Sequence, residues 1–286
     1  MTFSLPGFDL DHFVSTTLAE DLGSDGSPGS RDVTSEAVIP AAARFAGVMA
    51  SRDAITIAGL AIAEAFFRTL DPAVRIERLH ADGNAVAAGT ALLRLEGLAR
   101  PMLTAERSAL NTVQHLSGIA TLTSSYVRAI AGTGATLLDT RKTIPGLRVI
   151  EKYATRMGGA QNHRMGLWDA AMIKDNHVAV AGDIGEAVRR AVAAGIERII
   201  VEVDSLDQIA PALAAGATHL LLDNMAPPML REAVALVAGR VPTEASGGVR
   251  LDSIRAIAEA GVTYVSVGRL TQSAPAADIG LDFALI

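Results

Sequence analysis

The pattern of hydrophobic and polar positions changes character near residue 134. Before that point it predicts a mixture of elements: helices over 9–22, 57–70 and 104–131, a strand over 44–51, and short strands joined by turns over 75–97. The Gly-, Ser- and Asp-rich stretch 23–35 between the first helix and the first strand predicts a loop. The early part of the chain is therefore expected to form a separate α/β sandwich-like domain, residues 1–115.

After residue 134, short apolar runs alternate with amphipathic stretches. The runs predict strands over 135–139, 170–173, 199–203, 220–222, 241–245 and 264–267. The stretches between the later runs predict helices over 184–194, 206–215, 229–238 and 251–260, each close to a glycine at its end. A repeat of roughly twenty residues is typical of βα units, which build a parallel sheet.

Only six or seven such units fit, whereas a complete eightfold barrel needs about 250 residues. The fold class is therefore predicted as α/β, with an incomplete (β/α) barrel over residues 116–270. The last segment, 271–286, is expected to pack back on the N-terminal domain.

Composition narrows the classes of function. Half of the 286 residues are hydrophobic, the net charge is −6, and cysteine is absent, so disulfide and thiolate chemistry are excluded. The longest apolar stretch, 54–67, contains Glu64 and is too short to cross a bilayer. The first residues lack the basic region of a signal peptide. We expect a cytoplasmic protein that binds neither membrane nor nucleic acid, since no basic stripe with aromatic residues is present.

Cationic side chains gather where the first barrel strands end. Asp139-Thr140-Arg141-Lys142, then Asn162-His163-Arg164, then Lys174-Asp175-Asn176-His177 follow one another within about forty residues of an acidic chain. Guanidinium and ammonium groups match carboxylates and phosphates. The cluster therefore predicts a site for a small polyanion.

Lys174 allows several interpretations. A lysine after an apolar strand can form a Schiff base with a carbonyl substrate, as in barrel aldolases. It can also neutralise a phosphate, or form a salt bridge with Asp175 or Glu202. The nearby Arg141 and Arg164 favour anion binding.

Two acids and several glycines follow later strands. Glu202 and Asp223 occupy equivalent positions in consecutive repeats, so their carboxylates are expected at the same barrel mouth. There they can hold a divalent cation or ribose hydroxyls, or stabilise a developing carbocation. Ser246-Gly247-Gly248 and Gly268 end the last two strands, where glycines let main-chain N–H groups approach a phosphate.

The chain resembles the quinolinate phosphoribosyltransferase family. The resemblance runs from Glu20-Asp21-Leu22-Gly23 to the segment 278–283. Its motifs are Asp139-Thr140-Arg141-Lys142-Thr143, Asn162-His163-Arg164-Met165-Gly166-Leu167, Ile173-Lys174-Asp175-Asn176-His177, Glu202-Val203-Asp204, Leu222-Asp223-Asn224 and Glu244-Ala245-Ser246-Gly247-Gly248. Their number, order and spacing make the match specific.

The resemblance implies an activity and an assembly. The family transfers the phosphoribosyl group of phosphoribosyl pyrophosphate to quinolinate, with Mg²⁺, and releases pyrophosphate and carbon dioxide to give nicotinate mononucleotide for NAD synthesis. It also implies a head-to-tail homodimer with shared active sites, which can belong to a higher oligomer. In that dimer Arg107 of one subunit would complete the site of the other.

The resemblance also implies roles for individual residues. Arg107, Arg141, His163, Arg164 and Lys174 would bind the two carboxylates of quinolinate. The phosphoribosyl donor and its metal would be surrounded by Lys142, Glu202, Asp223, Ser246, Gly247, Gly248 and Gly268. Lys142, Lys174, Glu202 and Asp223 would be catalytic, and Glu202 and Asp223 would face the metal.

Three rival interpretations stay open at this point. One is a paralogue of the same family associated with molybdenum transport, which has another acceptor. A second is a Schiff-base aldolase that uses Lys174. A third is a carrier module built on the turn at Asp82-Gly83, although that turn lacks the lysine that carrier domains modify.

Overall fold

The computed structural model describes residues 4–23 and 31–285. It divides into two compact units. One comprises Met1–Leu122, Val149–Gly158 and Ala274–Ile286, and the other comprises Thr123–Arg148 and Gly159–Ser273. The helices are α1 (Leu10–Leu22), α2 (Val33–Val38), α3 (Leu60–Leu70), α4 (Ala99–Ala129), α5 (Arg148–Met157), α6 (Asp175–Ala181), α7 (Ile184–Ala193), α8 (Ile209–Ala215), α9 (Pro227–Val237), α10 (Ile254–Ala258) and α11 (Arg269–Gln272).

The strands belong to three sheets. They are β1 (Arg44–Ser51), β2 (Ile55–Thr56), β3 (Arg75–Arg78), β4 (Ala85–Val86), β5 (Ala91–Leu98), β6 (Thr136–Leu138), β7 (Ala171–Ile173), β8 (Ile199–Val203), β9 (His219–Asp223), β10 (Thr243–Ser246), β11 (Tyr264–Ser266) and β12 (Ile279–Leu285). Strands β2 and β4 form a small antiparallel pair.

An antiparallel sheet in the order β12-β1-β5-β3 forms the first unit's main sheet. The C-terminal strand β12 pairs with β1 from Phe45 to Ser51, so the end of the chain belongs to this sheet. A Cβ at Gly47 would lie 3.0 Å from the ring of Phe283, so a larger residue there would require that ring to shift.

Asp82 joins three elements of the first unit. Its carboxylate accepts hydrogen bonds from the main-chain N–H groups of Gly59 and Leu60 at the start of α3, and from the hydroxyl of Tyr153 on α5 at 2.6 Å. A carboxylate that accepts the free N–H groups of a helix start stabilises that helix. The turn at Asp82 is therefore architectural.

Six parallel strands form the second unit's sheet, in the order β6-β11-β10-β9-β8-β7. The central strands β8 and β9 are buried at all but one position each, as expected for central strands of a parallel α/β sheet. The two exceptions are Glu202 and Asp223. Strands β6 and β7 stand at the two ends of the order, which confirms the predicted incomplete barrel.

Several elements differ from the sequence prediction. Helix α2 starts at Val33, inside the predicted loop 23–35, because Asp32 accepts hydrogen bonds from the main-chain and hydroxyl groups of Ser35. Residues 24–30 of that predicted loop lie outside the described residues. Helices α5 and α6 occupy stretches that the sequence analysis assigned to no element.

Candidate active site

A cavity of about 730 Å³ lies at the carboxyl ends of the parallel strands. It is lined by residues that follow β6, β7, β9, β10 and β11, together with Glu202 of β8. Eleven of the residues singled out by the sequence line it: Arg141, Lys142, His163, Arg164, Lys174, Glu202, Asp223, Ser246, Gly247, Gly248 and Gly268.

Arg107 is placed differently. It lies on α4 in the first unit, and its side chain is exposed. The position alone assigns it no ligand.

Two guanidinium groups form the cationic part of the cavity. Arg164 is 6% exposed and donates one hydrogen bond to the main-chain oxygen of Ala170 at 2.8 Å. Burial, and then the positive charge of Arg141, lower the pKa of Arg164. The Nε atom of Arg141 is buried without a hydrogen-bond partner among the described residues. Adjacent, partly unsatisfied guanidiniums are costly unless an anion binds between them.

Asp139 fixes the segment that carries His163 and Arg164. This buried carboxylate at the end of β6 accepts hydrogen bonds from the main-chain N–H of His163 at 2.9 Å and from the amide of Asn162 at 2.5 Å. Gln161 bridges Leu138 in parallel, so the segment runs beside the edge of the sheet. These hydrogen bonds and the bridge hold the segment against the edge of the sheet.

Glu244 lines the same cavity and contacts His219, and the sequence analysis assigned neither residue a role. Glu244 is fully buried, and its Oε2 lies 3.2 Å from Nε2 of His163 and 3.0 Å from Nε2 of His219. Burial alone would raise the pKa of Glu244, but the two histidines outweigh it and lower that pKa to about 2. A sequence signal existed, because Glu244 interrupts the predicted strand 241–245 as Glu202 interrupts the predicted strand 199–203. Both glutamates stand beside Leu221 of β9.

The acidic part of the cavity contains Glu202 and Asp223. Lys174 forms an ion pair with Glu202, one of the arrangements left open by the sequence. Burial, followed by the negative charge of Glu202, raises the pKa of Asp223. Two carboxylates that repel each other at a cavity wall suit a cation.

The loop after β10 offers main-chain groups to the cavity. Gly247 and Gly248 both have positive φ, and a Cβ at Gly248 would meet no atom within 4 Å. Gly268 leaves room for Lys142, since a Cβ there would lie 2.7 Å from Cδ of that lysine. Open main chain and a nearby ammonium group suit a phosphate.

Other lining residues were given no role by the sequence analysis. They are polar or charged side chains of the loops after the strands: Thr140, Asn224, Arg250, Arg269 and Gln272. Among the residues that the structure describes, no group of three or more His, Cys, Asp or Glu side chains could hold a metal ion by itself. Likewise, none of the described helices is long and apolar enough to span a membrane.

Comparison with protein families matches nearly the whole chain. Residues 32–117 match the model described as "Quinolinate phosphoribosyl transferase, N-terminal domain", and residues 119–282 match its C-terminal counterpart. Both models describe the same enzyme family.

Individual relatives agree with the family models. The chain is 40% identical to the "Probable nicotinate-nucleotide pyrophosphorylase [carboxylating]" of Bacillus subtilis, over 96% of this chain and 92% of that protein. It is 39% identical to a chloroplastic protein of the same name from Oryza sativa, over 96% of this chain and 78% of that protein. The solved structure of the nicotinate-nucleotide pyrophosphorylase from Francisella tularensis superposes with a TM-score of 0.90 at 36% identity, covering 99% of this chain and 100% of that one.

Proposed function

Because the chain belongs to the quinolinate phosphoribosyltransferase family, we propose that it transfers the phosphoribosyl group of phosphoribosyl pyrophosphate to quinolinate. The products are nicotinate mononucleotide, pyrophosphate and carbon dioxide, and the reaction belongs to NAD synthesis. The observation that carries this function is the pair of guanidiniums of Arg141, half-buried, and Arg164, buried, which both line the cavity.

The cationic part of the cavity supports a dicarboxylate acceptor. One carboxylate accepts two parallel hydrogen bonds from one guanidinium, so two arginines exceed what a monocarboxylate needs. The unsatisfied Nε of Arg141 supplies a further donor. Quinolinate, a pyridine with carboxylates on neighbouring carbons, meets this requirement, and nicotinate lacks the second carboxylate.

The acidic part of the cavity supports the donor and Mg²⁺. Magnesium is commonly held by one or two protein carboxylates together with substrate phosphates, which agrees with Glu202 and the mutually repelling Asp223. When bound, the ion neutralises charge on the pyrophosphate that leaves. Lys142 and the Gly247-Gly248 main chain face the same cavity and would bind phosphate oxygens.

The order of bond changes follows from the charges. The ring nitrogen of quinolinate attacks the anomeric carbon as the bond to pyrophosphate breaks, and carboxylates at the acidic part stabilise the cationic ribosyl group. The nitrogen then carries a positive charge, which stabilises the electron pair left on the adjacent carbon when carbon dioxide departs. That carbon finally takes up a proton. The ring nitrogen of the substrate itself stabilises the electron pair, so the side chains of the protein orient the substrates and neutralise their charges.

The assembly is part of the proposal. Arg107 belongs to the first unit and is exposed, so it is available to a second copy of the chain. In a head-to-tail homodimer it would add a guanidinium to the partner's cavity and bind one carboxylate of quinolinate.

The rival interpretations have less support. The amine of Lys174 is paired with the carboxylate of Glu202, whereas a Schiff base needs that amine as the attacking nucleophile. The turn at Asp82 is used to start α3. The paralogue associated with molybdenum transport would share the fold and differ in its acceptor.

An assay of product formation tests the function. Purified protein is supplied with phosphoribosyl pyrophosphate, Mg²⁺ and either quinolinate or nicotinate, and nicotinate mononucleotide and carbon dioxide are measured. We expect product when quinolinate is the acceptor and none when nicotinate is the acceptor. Equal use of nicotinate, or no product with either acid, would refute the assignment.

A further inference from the structure

Both ring nitrogens of His163 have partners within the protein. Nδ1 lies 2.7 Å from the main-chain nitrogen of Arg164, and Nε2 lies 3.2 Å from Oε2 of Glu244. A main-chain N–H can only donate, so Nδ1 must present a lone pair. The ring proton is therefore on Nε2, where it is donated to Glu244. Flipping the ring would place carbon atoms at both contacts, so the same two bonds fix its orientation.

An imidazolium does not fit this arrangement. A second proton on Nδ1 would point at the N–H of Arg164. These contacts differ from the cationic, carboxylate-binding role that the family resemblance implies for His163.

We propose that His163, as the neutral Nε2–H tautomer, and Glu244 are positioning residues that fix Arg164 in the cavity. Glu244 on β10 holds the ring, the ring holds the main chain of Arg164, and the side chain of Arg164 is held in turn by the oxygen of Ala170 at 2.8 Å. The barrel wall thereby sets the direction of one guanidinium. The assignment of the tautomer does not depend on the proposed function, whereas the expected effect on quinolinate binding does.

The surroundings make Glu244 a rigid anchor. It is fully buried, and Nε2 of His219 lies 3.0 Å from the same oxygen that faces His163. The ring of His219 stacks on Tyr264, with centroids 5.7 Å apart and planes 14° apart. Full burial limits the movement of this carboxylate, and its Oε2 is the atom that faces the ring of His163.

Nuclear magnetic resonance of the unliganded protein tests the tautomer. The chain has six histidines, and ¹⁵N-histidine labelling reports whether each ring nitrogen carries a proton. The His163 signals are identified by their loss in His163→Asn, or by sequential assignment if that variant does not fold. We expect an unprotonated Nδ1 and a protonated Nε2, before and after quinolinate is added. Protons on both nitrogens, or on Nδ1 alone, would overturn the proposal.

Substitutions at Glu244 test the positioning role. Glu244→Gln keeps an oxygen that can accept the Nε2–H bond, whereas Glu244→Leu keeps the bulk and removes the acceptor. By calorimetry, we expect quinolinate affinity to change less than about twofold in Glu244→Gln and to fall by about fivefold or more in Glu244→Leu. The affinity for phosphoribosyl pyrophosphate should stay the same in both. Glu259→Gln, the same change in an exposed ion pair with Arg255, is the matched control and should bind normally.

Each other outcome has a defined meaning. If Glu244→Gln loses as much affinity as Glu244→Leu, charge rather than hydrogen bonding matters, and the neutral tautomer is wrong. If neither variant loses affinity, Glu244 does not position the site. If the unchanged protein does not bind quinolinate, the proposed function fails, and the resonance experiment still decides the tautomer.

Discussion

Asn224 shows how closely single residues are matched at this site. Its φ is 55°, its amide donates to Asp223 at 2.5 Å, and its Oδ1 would lie 2.1 Å from a Cβ at Gly247. Gly247→Ala must therefore displace Asn224 and with it the carboxylate of Asp223. We expect turnover to fall about 10-fold or more, together with a loss of about 1–3 kcal/mol in the free energy of unfolding.

Gly239→Ala is the control for that change. Gly239 also has a positive φ, 71°, but a Cβ there meets no atom within 4 Å. Steady-state kinetics and urea unfolding should show backbone strain in both variants and loss of turnover in Gly247→Ala alone. Equal turnover in the two variants would show that Asn224 does not position Asp223.

Asp223 offers a prediction about pH. Because burial and Glu202 raise its pKa above 3.8 in the folded chain, stability is lost as pH rises from about 3.8 through the raised value. Asp223→Asn removes this effect. We expect it to melt at a higher temperature than the parent at pH 7 without Mg²⁺, while turnover falls about 10²-fold or more. At a pH below 3.8 the two melting temperatures should converge. Lower stability at pH 7 would contradict the proposed repulsion.

At the scale of single residues, the sequence identified site residues whose charge contrasts with an apolar strand. Lys174 and Asp223 follow strands whose other positions are apolar, so their place at the strand ends was predictable. Glu244 also interrupts a predicted strand, but its partners His163 and His219 are distant in sequence. Asn224 carries no charge, and its positive φ has no signature in the sequence. Contacts that only the fold creates were therefore missed.

Among the elements, the segment 161–164 is held in part by the buried carboxylate of Asp139. Asp139→Ala leaves donors of Asn162 and His163 without that acceptor, which costs about 1–3 kcal/mol. The segment also carries Arg164, so we expect quinolinate affinity to fall with stability. Calorimetry and urea unfolding measure the two effects separately.

Asp183→Ala provides the comparison for Asp139→Ala. Asp183 caps α7 by accepting from the N–H of Glu186 at 2.7 Å, and its loss should cost about 1 kcal/mol. Since it does not line the cavity, quinolinate affinity should be retained. Normal affinity in Asp139→Ala as well would show that the segment keeps its shape without this carboxylate.

Helices and strands with buried apolar runs were predicted more accurately than the others. Strand β1 has the predicted bounds, and β8 does as well, because a run of apolar residues between turn residues is a strong signal. Helix α5 was missed because its buried residues include the charged Glu151 and Lys152, so its buried side is not an apolar stripe. Strand β12 forms through pairing with β1, more than two hundred residues earlier in the chain, and local pattern does not show such a partner.

At the scale of the whole molecule, the parallel repeat predicted the incomplete barrel and the mouth where the site residues meet. The family resemblance predicted the reaction, whereas charge and spacing alone predicted only that the site binds a polyanion. The homodimer with shared sites stays a prediction, since one chain contains no partner. It rests on Arg107, an exposed cation in a unit separate from the cavity-forming one.

Mixing two inactive variants tests that assembly. If Arg107 completes the partner's cavity, Arg107→Ala and Lys174→Ala remove groups from the same site in different subunits. Each variant alone should lose most of its activity, since a carboxylate loses a charged hydrogen bond worth roughly 1.5–3 kcal/mol. In a mixed dimer one site carries both changes and the other carries neither, so up to about half of its sites should recover. Mixed dimers isolated by two affinity tags, and assayed beside each tagged variant alone, would measure this recovery. Verified mixed dimers without activity would show that Arg107 acts in its own subunit or has no part in the reaction.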